Sequence, residues 1–401
     1  MSRRAIVLVI DACGVGALSD AAEYGDAGTN TLAHLAESVG GLELPTLQRL
    51  GLGSILTLQG VAEAEHPAIH GRLHPLGPGK DSISGHWELM GVVQERAMPT
   101  YPHGFPEEVV ARLQAVMGHG VICNRPDNGL AAIEEFGEEH LRSGELILYT
   151  SQDSVLQLAA HVERVPVEEL YRACEAARAC MSGEDAVGRV IARPFRGEVG
   201  AFARTEGRRD FALAPPGRSY LQELQDAGVQ VHGVGKIGDL FAGVGVSRVY
   251  PGATNAQALA STGELLEELE EGMVFVNLIE TDQLYGHRKD ADGFQRALVE
   301  IDQALAGMLE GLREGDLLVV TADHGVDLSH PGTDHTREYA PLIAVSGAML
   351  SALADADSDS EGDGVLSGFR HDGPLADVGA SALKWLTGLK GEELPGRAFI
   401  S

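Results

Sequence analysis

The 401-residue sequence is poor in basic residues. Lys and Arg number 30 against 59 Asp and Glu, which gives a formal net charge of −29 at pH 7. Such an acidic surface repels nucleic acid and anionic membranes, so we expect neither as a partner. A small anionic substrate remains possible, because bound metals and a few arginines can reverse the local potential.

Cysteines and long apolar runs are also scarce. The four cysteines, Cys13, Cys123, Cys174 and Cys180, show no CxxC spacing, and free thiols in a reducing cytoplasm are the expected state. No stretch approaches the roughly 20 apolar residues of a membrane span. The first apolar run ends at Asp11 and is too short for a secretion signal. We therefore expect a cytoplasmic protein.

Short β-branched runs alternate with helical segments, which is typical of an α/β protein with a largely parallel sheet flanked by helices. The strand candidates are Ile6–Ile10, Val229–Val234, Val274–Ile279, Leu317–Thr321 and Pro341–Val345. The helix candidates are Thr31–Ser38, Ser219–Asp226, Ser261–Glu270 and Gly293–Leu312.

Prolines near residue 100 and at Pro215-Pro216 bracket a middle segment with its own elements. Its strand candidates are Leu146–Thr150 and Val187–Ala192, and its helix candidates are Pro106–Met117 and Val167–Met181. We predict a discontinuous core of residues 1–98 and 218–401, interrupted by a smaller inserted α+β cap domain at 99–217. The Asp/Ser/Gly-rich stretch Ala354–Gly364 is typical of a solvated loop.

Carboxylates and imidazoles follow the predicted core strands. The C-terminal ends of parallel strands meet at one edge of a sheet, so these side chains are expected to converge. The candidate ligands are Asp11, Asp282, His287, Asp323, His324 and His335. Asp323 and His324 are adjacent, so their side chains diverge and could serve two different ions.

This ligand chemistry suits Mn²⁺, Zn²⁺ or Fe, and the lack of thiolates argues against a structural zinc site. Taken singly, Asp323-His324-Gly325 could be a helix cap or turn, and Asp11 a carboxylate at the start of a loop. Several such segments at strand ends make coincidence a poor explanation. The sequence therefore favours a two-metal centre.

A candidate nucleophile lies in the segment Gly79–Glu88. Metal coordination lowers the pKa of a hydroxyl and makes it a nucleophile toward phosphorus. Ser82 and Ser84 both qualify, and spacing does not decide between them. The alternative interpretation is an ordinary helix N-cap, Ser84 with Glu88 nearby.

Polar side chains of the inserted segment form a third group. In so acidic a protein, clustered arginines favour bidentate recognition of phosphate or hydroxyl groups, although single surface arginines are often merely solvated. The candidates are Asp153, Arg189, Arg193, Arg204 and Arg208.

Together these motifs closely resemble those of the bacterial phosphopentomutases, within the alkaline phosphatase superfamily. The resemblance runs almost end to end and implies an alkaline-phosphatase-like core with an inserted cap. The most specific matches are Lys80-Asp81-x-x-Ser84-Gly85-His86-Trp87-Glu88, Tyr285-Gly286-His287-Arg288 and Pro331-Gly332-Thr333-Asp334-His335-Thr336-Arg337-Glu338.

The resemblance implies two manganese ions, with other divalent metals possible. By position, one ion would be held by Asp282, His287 and His335, and the other by Asp11, Asp323 and His324. A phosphorylated hydroxyl would lie between them. That residue is usually threonine in the family, and the resemblance aligns it with Ser84. The residues implied for sugar-phosphate binding are Ser151, Asp153, Arg189 and Arg204, with Arg193 and Lys236 as weaker candidates.

Three segments depart from the family pattern, and none of the changes removes a proposed ligand. Val326 stands where Asn is common, Ala12-Cys13 replaces Ser-Phe, and the segment Asn124–Gly129 lacks a Ser-Gly-Thr sequence. The last change lies in a loop implied to be near the sugar site.

The implied reaction interconverts α-D-ribose 1-phosphate and ribose 5-phosphate, together with the 2-deoxyribose analogues. It would use a phospho-serine enzyme, a 1,5-bisphosphate intermediate and a sugar bisphosphate as activator. The cap would close over the site and exclude water. A metal-dependent phosphohydrolase and a non-catalytic sugar-phosphate-binding protein remain as alternatives, whereas a phosphoglycerate mutase matches poorly.

Overall fold

The computed structural model describes residues 2–151, 154–350 and 368–400. Asp153 and the predicted solvated loop at 354–364 lie outside the described residues. The chain divides into two compact units. The first unit comprises Met1–Ala97 and Pro215–Ser401, and the second unit comprises Met98–Ala214. The boundaries predicted from the sequence were 98/99 and 217/218.

Strands and helices are numbered here in chain order. The strands are β1 (Arg4–Ile10), β2 (Ile69–His74), β3 (Val121–Pro126), β4 (Leu146–Thr150), β5 (Val155–His161), β6 (Arg189–Arg196), β7 (Ala203–Arg204), β8 (Arg209–Ala212), β9 (Val231–Val234), β10 (Arg248–Tyr250), β11 (Gly272–Leu278), β12 (Asp316–Thr321), β13 (Ala340–Ser346) and β14 (Gly373–Pro374). The α-helices are α1 (Thr31–Val39), α2 (Pro45–Leu50), α3 (Leu52–Ile55), α4 (Ser82–Leu89), α5 (Glu107–Met117), α6 (Gly129–Ser143), α7 (Val167–Cys180), α8 (Tyr220–Asp226), α9 (Ile237–Leu240), α10 (Asn255–Glu268), α11 (Ala291–Glu310) and α12 (Asp377–Thr387).

The first unit is built on a sheet whose described strands run in the order β10-β9-β11-β1-β12-β13-β2-β14. The central strands β9, β11, β1 and β12 are mutually parallel, whereas β13 is antiparallel to both of its neighbours. Every residue of β1, β11 and β12 is buried. Continuous apolar runs suit strands that are covered on both faces, so the predicted α/β class is confirmed.

Most predicted core elements agree with the structure to within a few residues. The exception is the helix predicted at Ser261–Glu270, which begins at Asn255 in the structure. The Thr254 side chain caps it by accepting a hydrogen bond from the Gln257 N–H at 3.2 Å. This cap was not predicted, and neither were strand β2 and the short edge strands β10 and β14, because they lack an apolar run.

The second unit contains a mixed sheet in the order β3-β4-β5-β6-β7, with β8 also pairing with β6. Helices α5 and α7 supply buried residues such as Leu113 and Leu170 to one apolar cluster with the sheet, and α6 contributes Ala132 and Ile133 to another. This architecture is α+β, the class expected for the insertion. Strand β4 matches its predicted range, Leu146–Thr150.

All four cysteines are free, as expected. Among the described residues, no helix combines the length and apolar character needed to cross a membrane.

Candidate metal centre

The predicted ligands come together at the C-terminal ends of three neighbouring parallel strands. Asp11 directly follows β1, Asp282 lies in a π-helical turn (Thr281–Gly286) after β11, and Asp323 follows β12. The register pairs Ile10 of β1 with Leu278 of β11, so both strands end at the same level. The carboxylates therefore meet because their strands are adjacent, parallel and in register.

Asp282, His287 and His335 form a first ligand group, with one ligand atom from each lying within 4.8 Å of the others. Asp282 Oδ1 is 3.4 Å from His287 Nε2 and 3.3 Å from His335 Nε2. His287 Nδ1 lies 2.6 Å from the Thr333 carbonyl oxygen. A proton on Nδ1 donated to that carbonyl leaves the Nε2 lone pair directed into the group.

Asp11, Asp282 and His324 form a second ligand group. His324 Nε2 lies 3.4 Å from Asp11 Oδ1 and 3.3 Å from Asp323 Oδ2. The predicted trio Asp11, Asp323 and His324 is thus brought together around His324 Nε2. The structure adds Asp282 to this side, so one carboxylate belongs to both groups.

These groups fit divalent cations. Within the described part of the chain, the buried atoms Asp282 Oδ1, Asp323 Oδ2 and His335 Nε2 have no hydrogen-bond partner. Two ligand atoms bound at about 2.1 Å with a tetrahedral angle between them would be about 3.4 Å apart. The observed 3.3–3.4 Å separations around Asp282 and His324 match that spacing. Buried donors and acceptors that approach without hydrogen bonding are what a shared cation requires.

The pKa shifts of the candidate ligands also support cation binding. Burial would lower the pKa of His324, but Asp323 and Asp11 outweigh it and raise that pKa well above its usual range. Burial would raise the pKa of Asp323, yet His324 and His86 hold it below the usual value. The carboxylates thus create a strong demand for positive charge, which cations can meet when they replace the imidazole protons.

The turn after β1 is shaped to support this centre. Ala12 has a positive φ of 63°, and its N–H donates to Asp323 Oδ1 at 3.1 Å. Such a conformation is unfavourable for a residue with a Cβ, so the contact has a structural cost. Burial and the nearby Asp11 raise the pKa of Cys13 well above its usual range, and this thiol is therefore inert.

The hydroxyl groups of the two candidate nucleophiles, Ser82 and Ser84, contact different side chains. Ser82 Oγ lies 3.1 Å from His324 Nε2 and 3.3 Å from Asp11 Oδ1. Ser84 Oγ donates to Asp81 Oδ2 at 2.7 Å and lies 2.9 Å from Gln94 Oε1. In the described part of the chain, the hydroxyl brought to the metal ligands is therefore that of Ser82, and not that of Ser84, which the family pattern favoured.

Helix α4 explains this separation. Asp81, not Ser84, is its N-cap, and Asp81 Oδ1 accepts from the N–H groups of Ile83 and Ser84. Side chains two positions apart on a helix do not share a face, so only one of the two serines can face the ligands. The alternative interpretation of Ser84 as an N-cap is wrong, because Asp81 occupies the N-cap position.

Arg337 holds the loop that leads into Ser82. Its Nη1 donates to the Gly79 carbonyl at 2.9 Å, and its Nη2 donates to Asp20 Oδ2 at 2.9 Å. Its guanidinium also stacks over the Tyr24 ring. A buried, fully engaged arginine of this kind fixes the entry to helix α4.

Gly85 allows α4 to approach the end of β12. A Cβ on Gly85 would contact the Asp323 carbonyl oxygen and would lie 2.8 Å from Asp323 Cβ. Neither atom can rotate away. We expect Gly85→Ala to lower stability by about 1–3 kcal/mol through overpacking. It should also reduce turnover disproportionately, because Ser82 and Asp323 would move apart.

Gly263→Ala provides the control for this prediction. Gly263 lies within α10, and a Cβ added there would meet no atom from outside its own helical turn within 4 Å. The change should therefore be neutral or stabilising by up to about 1 kcal/mol. Thermal unfolding and kcat/KM are measured for both variants. Equal effects of the two substitutions would contradict the proposed close approach.

In the second unit, arginines surround Asp210 and Tyr149. Asp210 contacts Arg208 at 2.7 Å and Arg189 at 3.8 Å. Burial would raise the pKa of Asp210, but these arginines lower it overall. Arg193 donates to Gln157 Oε1 at 2.9 and 3.1 Å. The unit therefore carries a local excess of positive charge.

Three of the predicted sugar-phosphate residues, Arg189, Arg204 and Ser151, lie around the same sheet, whereas Lys236 does not. Tyr149 OH and Arg189 Nε are buried without a hydrogen-bond partner within the described ranges. A Cβ on Gly129 would lie 2.8 Å from Arg204 Nη2, so Arg204 borders the start of α6. Ser151 follows β4 and is half-buried. Lys236 lies in the first unit, with Nζ 3.0 Å from Gln283 Oε1.

Two residues of the centre were not predicted as participants. His86 Nδ1 lies 3.1 Å from Asp323 Oδ2, and Asn277 Nδ2 donates to Asp11 Oδ2 at 2.8 Å. His86 was noted only as part of a motif. Asn277, a polar residue inside the buried strand β11, was a signal that could have been used, because buried amides need polar partners.

The chain is similar in sequence to known metalloenzymes. The sequence model of the metalloenzyme superfamily matches residues 3–388. A phosphopentomutase of Caldanaerobacter subterraneus subsp. tengcongensis is 47% identical over 350 residues, which cover 87% of this chain and 89% of the relative. A phosphopentomutase of Anaeromyxobacter sp. (strain K) is 49% identical over 345 residues, which cover 86% of this chain and 89% of the relative.

Similarity to solved structures is weaker. The PH0037 protein from Pyrococcus horikoshii superimposes with a TM-score of 0.47 at 13% identity, covering 96% of this chain and 98% of that protein.

Proposed function

We propose a reaction for this site on the premise that the chain belongs to the phosphopentomutase family, within the metalloenzyme superfamily. The chain is accordingly an enzyme of the isomerase class that acts on small phosphosugars. The proposed reaction interconverts α-D-ribose 1-phosphate and ribose 5-phosphate, and also the 2-deoxyribose analogues.

The two ligand groups would hold two Mn²⁺ ions. His287, His335 and Asp282 would serve one ion, and Asp11, Asp323 and His324 the other, with Asp282 close enough to contribute to both. Bound divalent cations neutralise negative charge on a transferring phosphoryl group and lower the pKa of a coordinated hydroxyl. Oxygen and imidazole ligands of this kind suit Mn²⁺, and other divalent metals can replace it.

Ser82 is proposed as the residue that carries the phosphoryl group. In the first step its Oγ–P bond breaks and a bond forms between phosphorus and the C5 hydroxyl oxygen of ribose 1-phosphate, which loses its proton. This gives ribose 1,5-bisphosphate. In the second step Ser82 Oγ bonds to the phosphorus on C1, and the released O1 takes up a proton. Each cycle regenerates phospho-Ser82, and a sugar bisphosphate would phosphorylate enzyme that has lost it.

The observation that carries this proposal is the position of Ser82 Oγ, 3.1 Å from His324 Nε2 and 3.3 Å from Asp11 Oδ1. Ser82 is also the first residue of α4. The N-terminus of a helix favours negative charge, so it would stabilise a phosphoryl group on this hydroxyl.

The inserted unit is proposed to recognise the sugar phosphate. Its candidate residues are Ser151, Asp153, Arg189 and Arg204, and the adjacent Arg193 and Arg208 add to the local positive charge. Guanidinium groups bind phosphate bidentately and keep their charge. A cytoplasmic location, with small-molecule pentose phosphates as partners and with neither nucleic acid nor membrane bound, completes the proposal.

The test is a direct assay with ribose 1-phosphate, Mn²⁺ and a catalytic amount of sugar bisphosphate. Quenched samples are separated by anion-exchange chromatography, and ribose 5-phosphate and free phosphate are quantified together. We expect ribose 5-phosphate to form without stoichiometric phosphate release. Release of phosphate as the main product would indicate a phosphohydrolase, and the absence of both products would indicate a sugar-phosphate-binding protein.

A further inference from the structure

Two fully buried polar side chains, His86 and Asn277, link the metal-ligand carboxylates to the main chain of Ser82. We propose that they are positioning residues, which fix the orientation of the Asp11 and Asp323 carboxylates and the position of the Ser82 main chain relative to them. The inference rests on the proposed function in one respect, the binding of divalent cations by this ligand set. It does not depend on which phosphosugar reacts.

The amide of Asn277 fixes the first half of this link. Its Nδ2 lies 2.8 Å from Asp11 Oδ2 and 3.2 Å from His86 Nε2. An ionised carboxylate only accepts hydrogen bonds, so the amide must turn its NH₂ group toward Asp11. That group has two hydrogens, one for Asp11 Oδ2 and one for the lone pair of His86 Nε2.

The tautomer of His86 follows from this arrangement. Because Nε2 accepts from Asn277, the ring proton resides on Nδ1. Nδ1 lies 2.8 Å from the Ser82 carbonyl oxygen and 3.1 Å from Asp323 Oδ2. The Nδ1–H therefore donates to the Ser82 carbonyl oxygen, and the ring places Nδ1 beside Asp323 Oδ2, an atom without a hydrogen-bond partner among the described residues.

The hydrogen bond from Asn277 engages one carboxylate oxygen of Asp11 and leaves the other oxygen, Oδ1, available to bind a cation. Asn277 occupies Asp11 Oδ2, and Asp11 Oδ1 faces Ser82 Oγ at 3.3 Å and His324 Nε2 at 3.4 Å. On the other carboxylate, Ala12 N–H occupies Asp323 Oδ1 and His86 approaches Oδ2. Each carboxylate is thereby held in one orientation, which is what a preorganised metal site requires.

The experiment measures Mn²⁺ binding to the metal-stripped full-length chain by calorimetry, alongside kcat and KM for ribose 1-phosphate. The variants are His86→Leu, which removes both ring nitrogens, and Asn277→Leu, which removes the amide. His86→Asn is the conservative variant, since its amide nitrogen can take the place of Nδ1. His70→Asn is the control, because His70 is also buried in the first unit and, within the described residues, its side chain hydrogen-bonds to the Ala68 carbonyl oxygen at 2.9 Å and not to the candidate ligands.

We expect His86→Leu and Asn277→Leu to weaken Mn²⁺ binding by about 10–100-fold, the usual effect of removing an outer partner of a metal ligand. His86→Asn should recover part of the affinity, and His70→Asn should match the wild type. A lower kcat with little change in KM should accompany the weaker binding. Metal-free thermal unfolding identifies variants that do not fold.

Different results would overturn different conclusions. If the wild type binds Mn²⁺ and both leucine variants bind it equally well, the positioning role is refuted and the proposed function is unaffected. If His70→Asn weakens binding as much as His86→Leu does, the effect is general destabilisation and the inference fails. If the wild type binds no divalent cation, both the proposed function and this inference fail.

Discussion

The Ser82→Ala variant is expected to lose mutase turnover by about 10⁴- to 10⁶-fold, the size of effect seen when a covalent nucleophile is removed. Alanine keeps the start of α4 but removes the only atom that could carry the phosphoryl group in the proposed cycle. Mn²⁺ binding should persist, because the carboxylates and imidazoles are unchanged. The measurements are kcat with ribose 1-phosphate and the Mn²⁺ affinity of the same preparation.

Ser84→Ala is the matched control, since it lies two residues away on the same helix. It removes the hydrogen bond to Asp81 Oδ2 and the contact with Gln94 Oε1. We expect a stability loss of about 1 kcal/mol for each contact and a change in turnover below about tenfold. Fragment-resolved mass spectrometry after incubation with a sugar bisphosphate should locate the phosphoryl group on Ser82.

The opposite results for the two alanine variants would identify Ser84 as the nucleophile. If Ser84→Ala is inactive while Ser82→Ala turns over normally, the family-based alignment is correct and the hydroxyl nearest the metal ligands is not the nucleophile. A phosphoryl group found on Ser84 would lead to the same conclusion.

The Asp282→Asn variant should lose at least about 10³-fold in kcat/KM. Asp282 belongs to both ligand groups, so its replacement weakens both cation sites at once. Charge stabilisation by bound metal is worth several kcal/mol, and each 1.36 kcal/mol corresponds to a factor of ten. The metal-free protein should also lose some stability, because, although burial would raise the pKa of Asp282, His335 and His324 hold it below its usual value, so the ionised carboxylate favours the folded state.

The stability gained from Mn²⁺ provides the second measurement for this variant. A ligand at 100 times its Kd stabilises the folded state by about 2.7 kcal/mol, and this gain should disappear in Asp282→Asn. Asp302→Asn serves as the control. Asp302 is also buried but accepts from the N–H groups of Thr46 and Leu47 at the start of α2. It should lose stability and keep its response to Mn²⁺.

A normal Mn²⁺ response in Asp282→Asn would refute the shared-ligand arrangement. Loss of that response in Asp302→Asn would mean that the assay reports general damage rather than cation binding.

Much of the candidate metal centre could be predicted because its carboxylates lie just after recognisable strands. Asp11 and Asp323 each follow a continuous apolar run, and Asp282 follows a run interrupted by Asn277. Such runs identify strands buried on both faces. Adjacent parallel strands end at the same edge, so the convergence of these carboxylates follows from the fold class. The imidazoles of His287, His324 and His335 follow the same segments.

The contacts that sequence reasoning missed have two physical origins, one local and one long-range. Helix α10 was predicted to begin at Ser261 rather than Asn255 because its cap, Thr254, is a local side-chain contact that periodicity does not reveal. The roles of His86 and Asn277 depend on neighbours far away in the chain. Asn277 meets Asp11 only because β11 pairs with β1 in one particular register.

The sequence by itself determined the fold class, the family and the set of candidate metal ligands, because each depends on residue type and on periodicity along the chain. Only the tertiary structure decided which hydroxyl faces those ligands and that Asp282 joins both groups. Ser82 and Ser84 differ by two helical positions, and the choice between them depends on the face of α4 that packs against the end of β12. That orientation is set by Gly85, which permits the close approach, and by Arg337, which holds the preceding loop.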